Sequence, residues 1–203
     1  MDCIKNDWLT DNAIAFWEEW LEHEELKTYS KAQIVLLRPS MSFMLMTTKH
    51  PSTIKDALPQ FDKTTHIFLP INDSTNPAIS EGGSHWSLLL VSLLDGVAFH
   101  YDSLDHSNRR EAQTVTSKLQ SLLGMQLRFK EMDSCPQQAN GSDCGVYVCL
   151  IMRHLLLKRL LQADSRARVP MTLSSREINP SYGRKEMLKI IESLRREGEK
   201  RRS

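Results

Sequence analysis

The 203 residues include 26 basic and 25 acidic side chains, a formal net charge of +1, so the chain lacks the concentrated basic face of a general nucleic-acid binder. With 40% hydrophobic and 25% charged residues, it has the composition of one ordinary globular domain, which we expect to span residues 1–203. No stretch approaches the roughly 18 consecutive apolar residues of a membrane span, and the N-terminus has no apolar signal-peptide core. We therefore expect a cytoplasmic or nuclear monomer without membrane or nucleic-acid partners.

The four cysteines should be reduced thiols in such a compartment. Their spacing contains no Cys-x-x-Cys pair, so we expect no structural zinc, no other metal and no cofactor. The cysteines are Cys3, Cys135, Cys144 and Cys149.

The first third of the chain predicts mainly helices. Apolar residues spaced three and four apart predict an amphipathic helix over residues 7–24, with Thr10 or Asp11 as its N-cap. Three shorter segments follow: a β-branched one at 33–37 and helical ones at 41–48 and 52–58.

Strand-length apolar runs dominate the middle of the chain. Residues 66–71 and 86–94 are such runs, and the loop between them is polar and rich in Gly, Asn and Ser. The Asp95-Gly96 turn joins the second run to a further strand at 97–101, which is a typical hairpin signal.

The last third predicts helices around one more strand. Residues 109–123 have a helical pattern that Gly124 closes, and residues 125–131 resemble a strand. One further helix begins at Cys144, and a last helix covers about residues 184–196. Residues 195–203 form a basic run that we expect to be a frayed tail. The elements together predict an α+β fold, with a small, mainly antiparallel sheet packed with helices.

Cys144 lies where the polar turn at 140–143 becomes an unbroken apolar, helix-compatible run. The unpaired N–H groups and partial positive charge of a helix N-terminus favour thiolate over thiol, and Ser142 or Asp143 is a candidate cap. Gln138, just upstream, offers an amide donor to an oxyanion beside the sulfur. Taken alone, such a cysteine is more often a buried structural residue.

Two residues across the predicted hairpin complete a candidate cysteine site. His85 precedes the 86–94 strand and Asp102 follows the 97–101 strand, so both lie at the hairpin's open end if an offset or bulge absorbs the unequal lengths. Cysteine catalysis needs a base, a group that orients the base and an oxyanion donor, and His85, Asp102 and Gln138 supply one each. The set favours a cysteine hydrolase whose His, Asp, Cys order differs from that of papain-like enzymes.

Four sequence blocks resemble those of the Ulp/sentrin-specific cysteine proteases, which remove ubiquitin-like modifiers from proteins. The blocks are Trp8-Leu9-Thr10-Asp11, where the family has Asn for Thr, and residues 82–87, 99–103 and 137–145. The likeness runs from about Trp8 to Leu194. Within the family, the deneddylase branch (sentrin-specific protease eight) is most similar, on the loop at 71–74 and on His100-Tyr101-Asp102-Ser103 followed by Ser107-Asn108.

The resemblance implies the Ulp-type fold and assigns the catalytic roles. Cys144 would be the nucleophile, His85 the base, Asp102 the group that orients it and Gln138 the oxyanion donor.

The resemblance also implies a substrate site. Trp8 and Trp86 would line a narrow tunnel for the modifier's Gly-Gly tail, and Asp11 would contact the modifier's body. Flat indole walls admit glycine alone because only glycine lacks a Cβ. The loop from Asn72 to Gly83 would close over the tail, with Gly82 and Gly83 as hinges.

We therefore expect a thiol isopeptidase and processing protease whose partners are the neddylation modifier and its conjugates. Three alternatives stay open: the same chemistry directed at SUMO or ubiquitin, acetyl transfer on a related fold, and a catalytically inactive module that only binds a modifier.

Overall fold

The computed structural model describes residues 2–76, 78–79, 82–163, 169–174 and 176–202. Its centre is a five-stranded mixed sheet in which the strands lie in chain order. The strands are β1 Ile34–Leu36, β2 His66–Asn72, β3 Trp86–Ser92, β4 Val97–Tyr101 and β5 Arg128–Glu131.

Helices surround this sheet. The α-helices are α1 Asp2–Asn6, α2 Asp11–Trp20, α3 Pro39–Thr47, α4 Arg109–Leu123, α5 Cys144–Leu155 and α6 Pro180–Lys200. The shorter helical segments are a 3₁₀ helix at Pro51–Ala57, a 3₁₀ turn at Leu26–Thr28, and π-helical turns at Leu21–Glu25 and Leu156–Leu160 that prolong α2 and α5. Among the helices in the described part of the chain, none combines the length with the apolar character that a bilayer crossing requires.

The three central strands form the predicted antiparallel arrangement, whereas both edge strands run parallel to their neighbours. Each edge strand is reached by a crossover, since α3 lies between β1 and β2 and α4 lies between β4 and β5. Crossovers that contain a helix return the chain in the same direction, which makes the edges parallel. The α+β prediction is confirmed, with a sheet that is antiparallel at its centre and parallel at its edges.

β3 and β4 form the predicted hairpin, whose turn contains Gly96 with φ +62°. At the open end, Asp102 directly follows the last paired residue, Tyr101. His85, by contrast, lies three residues before Leu88, the partner of Tyr101. This offset of two residues absorbs the unequal strand lengths, and it leaves both candidate catalytic side chains at the same edge.

Apolar side chains cover both faces of the sheet. In β3, Leu88 and Leu90 belong to the core that contains α5, while Leu89 and Val91 belong to the core that contains α3 and α4. A strand that is buried on both faces is apolar at consecutive positions, which explains the unbroken apolar run at 88–91.

Helix ends agree with the sequence where a local signal marks them. Thr10 caps α2, its hydroxyl accepting from a backbone N–H at 3.4 Å, and Gly124 ends α4 with φ +63°. α6 begins earlier than predicted because Asn179 caps it and Pro180 starts it. It also continues to Lys200, so most of the predicted frayed tail is an exposed helical end.

Candidate active site

The open end of the hairpin brings two of the predicted catalytic residues together. Nε2 of His85 lies 2.6 Å from Oδ1 of Asp102, and the two residues are only 3% and 1% exposed. A short buried bond between imidazole and carboxylate fixes the ring's orientation and favours its protonated form.

Asn108 fixes the backbone around this pair. Its own N–H donates to Oδ2 of Asp102 at 2.8 Å, while the N–H of Leu104 donates to Oδ1 at 2.9 Å. Its side-chain amide donates to the carbonyls of Ile71 at 3.1 Å and His85 at 3.2 Å. Asn108 therefore connects the ends of β2 and β3 to the Asp102 carboxylate.

The loop that follows β2 holds His85 from the other side. The carboxylate of Asp73 accepts from the N–H of His85 at 3.0 Å, and from the N–H and hydroxyl of Ser84, both at 2.5 Å. Gly83 has φ +92°, and a Cβ at this position would lie 2.0 Å from Oδ1 of Asn72. The base of the loop thus requires glycine, whereas the hinge role stays a prediction.

Cys144 is the first residue of α5 and is completely buried. The sequence predicted this position at the change from turn to helix. Nδ1 of His85 is also buried, and it makes no hydrogen bond of standard geometry to the described residues. Because Nε2 is taken by Asp102, Nδ1 is the nitrogen left to receive the thiol proton.

The environment favours charged forms of the histidine and the aspartate. Burial alone would lower the pKa of His85, but interactions with Asp102 and Cys144 outweigh it and raise the pKa to about 9. Burial alone would raise the pKa of Asp102, but the bonds from His85 and from the N–H groups of Asn108 and Leu104 lower it. An imidazolium beside Cys144 stabilises a thiolate, the nucleophilic form of cysteine.

Asp143 does not cap α5 through its side chain, which corrects the sequence prediction. It occupies the N-cap position without a side-chain capping bond. Its carboxylate instead accepts from Nε and Nη2 of Arg184 at 2.9 and 2.7 Å, and from the amide of Asn140 at 2.8 Å. These partners draw the carboxylate away from the free N–H groups of α5.

Arg184 uses all five of its N–H donors around this point. Besides its two bonds to Asp143, it donates to the carbonyl of Ser142 at 3.0 Å. It also donates to the carbonyls of Cys3 and Ile4 in α1, both at 3.1 Å. One side chain of α6 therefore joins α1 to the loop that precedes the thiol.

Gln138 lies half-buried on that loop, with its amide held at both ends. Nε2 donates to the carbonyl of Asn140 at 2.7 Å, and Oε1 accepts from the hydroxyl of Ser103 at 2.7 Å. One of the two amide hydrogens is thus engaged, which leaves the second for an oxyanion. The donor role stays a prediction that this geometry permits.

Four of the six predicted substrate-binding residues line one small cavity, namely Asp11, Asn72, Gly82 and Trp86. The indole N–H of Trp86 donates to the carbonyl of Leu9 at 3.1 Å. This bond holds the Trp86 indole against the backbone of the residue that follows Trp8. Trp86 is 4% exposed and Trp8 is 37% exposed. Residues 77, 80 and 81 of the predicted closing loop lie outside the described residues.

No group of three or more His, Cys, Asp or Glu side chains in the described ranges is arranged to hold a metal ion.

Comparison with known proteins identifies the family. Residues 7–176 match the Ulp1 protease family, C-terminal catalytic domain. The chain belongs to this family. The resemblance carried by the four sequence blocks is therefore confirmed.

Similar proteins include several Ulp1-family members from eukaryotes. NEDD8-specific protease 2 of Schizosaccharomyces pombe is 39% identical over 192 residues, 92% of this chain and 45% of that protein. NEDD8-specific protease 1 of the same yeast is 35% identical, over 84% of this chain and 40% of that protein. Sentrin-specific protease 8 of Homo sapiens is 35% identical, over 70% and 67%. The chain spans less than half the length of the two yeast relatives.

Several solved structures share the fold of this chain. The SUMO protease Ulp1 with an oxidised catalytic cysteine superimposes with a TM-score of 0.61 at 21% identity, over 89% of this chain and 75% of that chain. The Xanthomonas campestris effector XopD bound to ubiquitin gives 0.63 at 22% identity, over 90% and 91%. These similarities confirm the Ulp-type fold.

Sequence reasoning assigned no role to several residues that support this Ulp1-family site. Asp73, Ser103 and Asn108 entered only as parts of family-like segments, and Arg184 had no assigned role. A short polar residue directly after the predicted acid is a usable signal for Ser103, whereas Asn108 lies six residues beyond Asp102. No local signal marks Arg184, because its partner Asp143 lies 41 residues away.

Proposed function

We propose that this protein is a thiol protease and isopeptidase that cleaves after the C-terminal Gly-Gly of a ubiquitin-like modifier, the neddylation modifier in particular. The observation that carries the reaction type is the bond between His85 and Asp102, at an imidazole that also interacts with the buried Cys144. Support for the modifier comes from the two yeast relatives named NEDD8-specific proteases.

The reaction begins when the Cys144 thiolate attacks the carbonyl carbon of the modifier's last glycine. His85 then gives its Nδ1 proton to the departing amine, while Asp102 holds the ring through Nε2. Water, deprotonated by His85, attacks the resulting thioester and releases the modifier's carboxylate and the thiol.

The negative oxygen formed during attack needs donors that are already in place. Gln138 supplies its second Nε2 hydrogen, and the N-terminus of α5 supplies backbone N–H groups and partial positive charge. Loss of one such donor costs on the order of a hundredfold or more in rate. We expect Gln138→Ala to be slow but active.

Selection of the modifier follows from access to a thiol that has no exposed surface. A substrate must reach Cys144 as a thin extended chain, and glycine is the residue that presents least width. Trp8 and Trp86 flank that path, while Asp11 and Asn72 offer polar contacts beside it.

Labelling with C-terminal electrophile probes tests the proposal. Separate probes built on the neddylation modifier, ubiquitin and SUMO should give a covalent adduct at Cys144 that is fastest with the first. Cys144→Ala should bind the modifier without forming an adduct or hydrolysing a modifier–amide reporter. Equal reporter hydrolysis by wild type and Cys144→Ala contradicts the mechanism, and preferential labelling by another probe redirects the specificity.

Acetyl transfer is tested in the same samples with labelled acetyl-coenzyme A. Transfer of label to Cys144 without modifier hydrolysis would replace the protease assignment. The cytoplasm or nucleus is the compartment we propose, because a thiolate nucleophile needs reducing conditions.

A further inference from the structure

Gln138 is held by Ser103 at two points, one on its side chain and one on its backbone. The hydroxyl of Ser103 donates to the side-chain Oε1 at 2.7 Å, and the carbonyl of Ser103 accepts from the backbone N–H of Gln138 at 2.8 Å. Ser103 is 3% exposed, so water does not compete freely for these bonds.

The two ends of an amide act oppositely on an oxyanion. The NH₂ end donates a hydrogen bond to it, whereas the carbonyl end repels it. The carbonyl of Asn140 can only accept, so it selects the NH₂ end of Gln138. The hydroxyl of Ser103 donates to the other end, and the two anchors together aim the remaining N–H.

The same contact joins the oxyanion donor to the acid. Ser103 directly follows Asp102, whose carbonyl accepts from the amide of Gln137 at 3.0 Å. The amide oxygen of Gln137 in turn accepts from the N–H of Asp105 at 2.8 Å. Two crossing segments are thus connected by four hydrogen bonds, two through Gln137 and two through Gln138.

We propose that Ser103 is a positioning residue that orients the Gln138 amide toward the oxyanion and fixes it relative to Asp102. The inference rests on the proposed thiol-protease function. It makes Ser103 act through Gln138 alone, without contact to the reacting atoms.

Ser103→Ala tests this role because it removes one hydroxyl and leaves the backbone bond. Acylation by a modifier–amide reporter should slow roughly tenfold, the equivalent of one lost hydrogen bond. Affinity for the uncleaved modifier should stay unchanged, because the oxyanion exists only in the transition state. In the Gln138→Ala background the same change should cost nothing further, since both act on one interaction.

A C-terminal bromoethyl probe separates orientation of the Gln138 amide from damage to the site. The Cys144 thiolate displaces bromide in one step, and the negative charge leaves on the bromide instead of forming where the carbonyl oxygen lies, so Ser103→Ala should be labelled at the wild-type rate. Ser107→Ala is the matched control, because Ser107 lies in the same turn and, among the described residues, its hydroxyl bonds only the carbonyl of Leu104, at 2.7 Å. It should behave as wild type in both assays.

The outcomes distinguish failure of the positioning role of Ser103 from failure of the proposed protease function. Wild-type reporter rates in Ser103→Ala, a tenfold loss that multiplies with that of Gln138→Ala, or a parallel loss of bromoethyl labelling each overturn the positioning role and leave the protease function intact. A wild-type protein that neither hydrolyses the reporter nor forms an adduct overturns both.

Discussion

Gly145→Ala is the substitution that most directly tests the packing of α5 against Leu9, the residue next to Trp8. A Cβ at Gly145 would lie 2.8 Å from Cβ of Leu9 and 3.3 Å from its Cγ. Leu9 is 1% exposed, so it has no open space into which to move. Its neighbour is Trp8, and its carbonyl holds the indole of Trp86.

The expected cost follows from two opposing effects. Overpacking a filled core costs about 1–3 kcal/mol. Replacing glycine by alanine inside a helix returns at most about 1 kcal/mol, and Gly145 lies in the first turn, where the gain is smaller. The free energy of unfolding should therefore fall by about 1–2 kcal/mol, or about 2–8 °C in Tm for a chain of this size.

The assay combines thermal unfolding with modifier binding. Because a shifted Leu9 moves the Trp8 backbone and the Trp86 indole together, affinity for the modifier should fall more than the acylation rate of the bound complex. Gly198→Ala is the control, since it makes the same change in α6, where no described residue beyond the surrounding helix backbone lies within 4 Å of the new Cβ. A Gly145→Ala protein as stable and as tight-binding as wild type would refute this account of the packing.

Ionisable and charged groups give three further expectations. Glu18→Gln should be more stable than wild type at pH 9 but not at pH 4 in urea unfolding, because burial raises the pKa of Glu18 and folding is opposed once it ionises. The free energy of unfolding of Asp102→Asn should be lower than that of wild type near pH 6.5. This difference should narrow as pH rises through about 9, where His85 of the wild type loses its proton. A difference that stays constant with pH contradicts the linkage. Arg184→Met should lower the free energy of unfolding by about 3–5 kcal/mol, because it leaves the buried Asp143 carboxylate without its cationic partner, and adding Asp143→Asn should recover part of the loss.

Local chemistry accounts for what the sequence predicted well. Gly124 ends α4 and Asp95-Gly96 marks the hairpin, since each sets backbone geometry by itself. Cys144 begins α5 where a polar turn meets an apolar run. His85 and Asp102 were predictable as a pair because a hairpin brings its ends together whatever the rest of the chain does.

Contacts between distant segments account for what it did not predict. The direction of the edge strands depends on where α3 and α4 return the chain, which no residue in β1 or β5 encodes. The local sequence predicts Asp143 as a helix cap, whereas its carboxylate pairs with Arg184 of α6. The start of α6 was missed for a different reason, since Asn179 and Pro180 were present in the sequence but were interpreted as part of a connection.

The five hydrogen bonds of Arg184 join α1 and α6 to the loop at 140–143 that precedes Cys144, so these segments form one cooperative unit. When α1 detaches, two guanidinium N–H groups lose their acceptors in a buried place, and each unsatisfied donor carries a desolvation cost. Fraying of α1 is therefore coupled to the backbone next to Cys144. Amide hydrogens in α1 and at residues 142–144 should accordingly exchange through a shared opening, as one foldon.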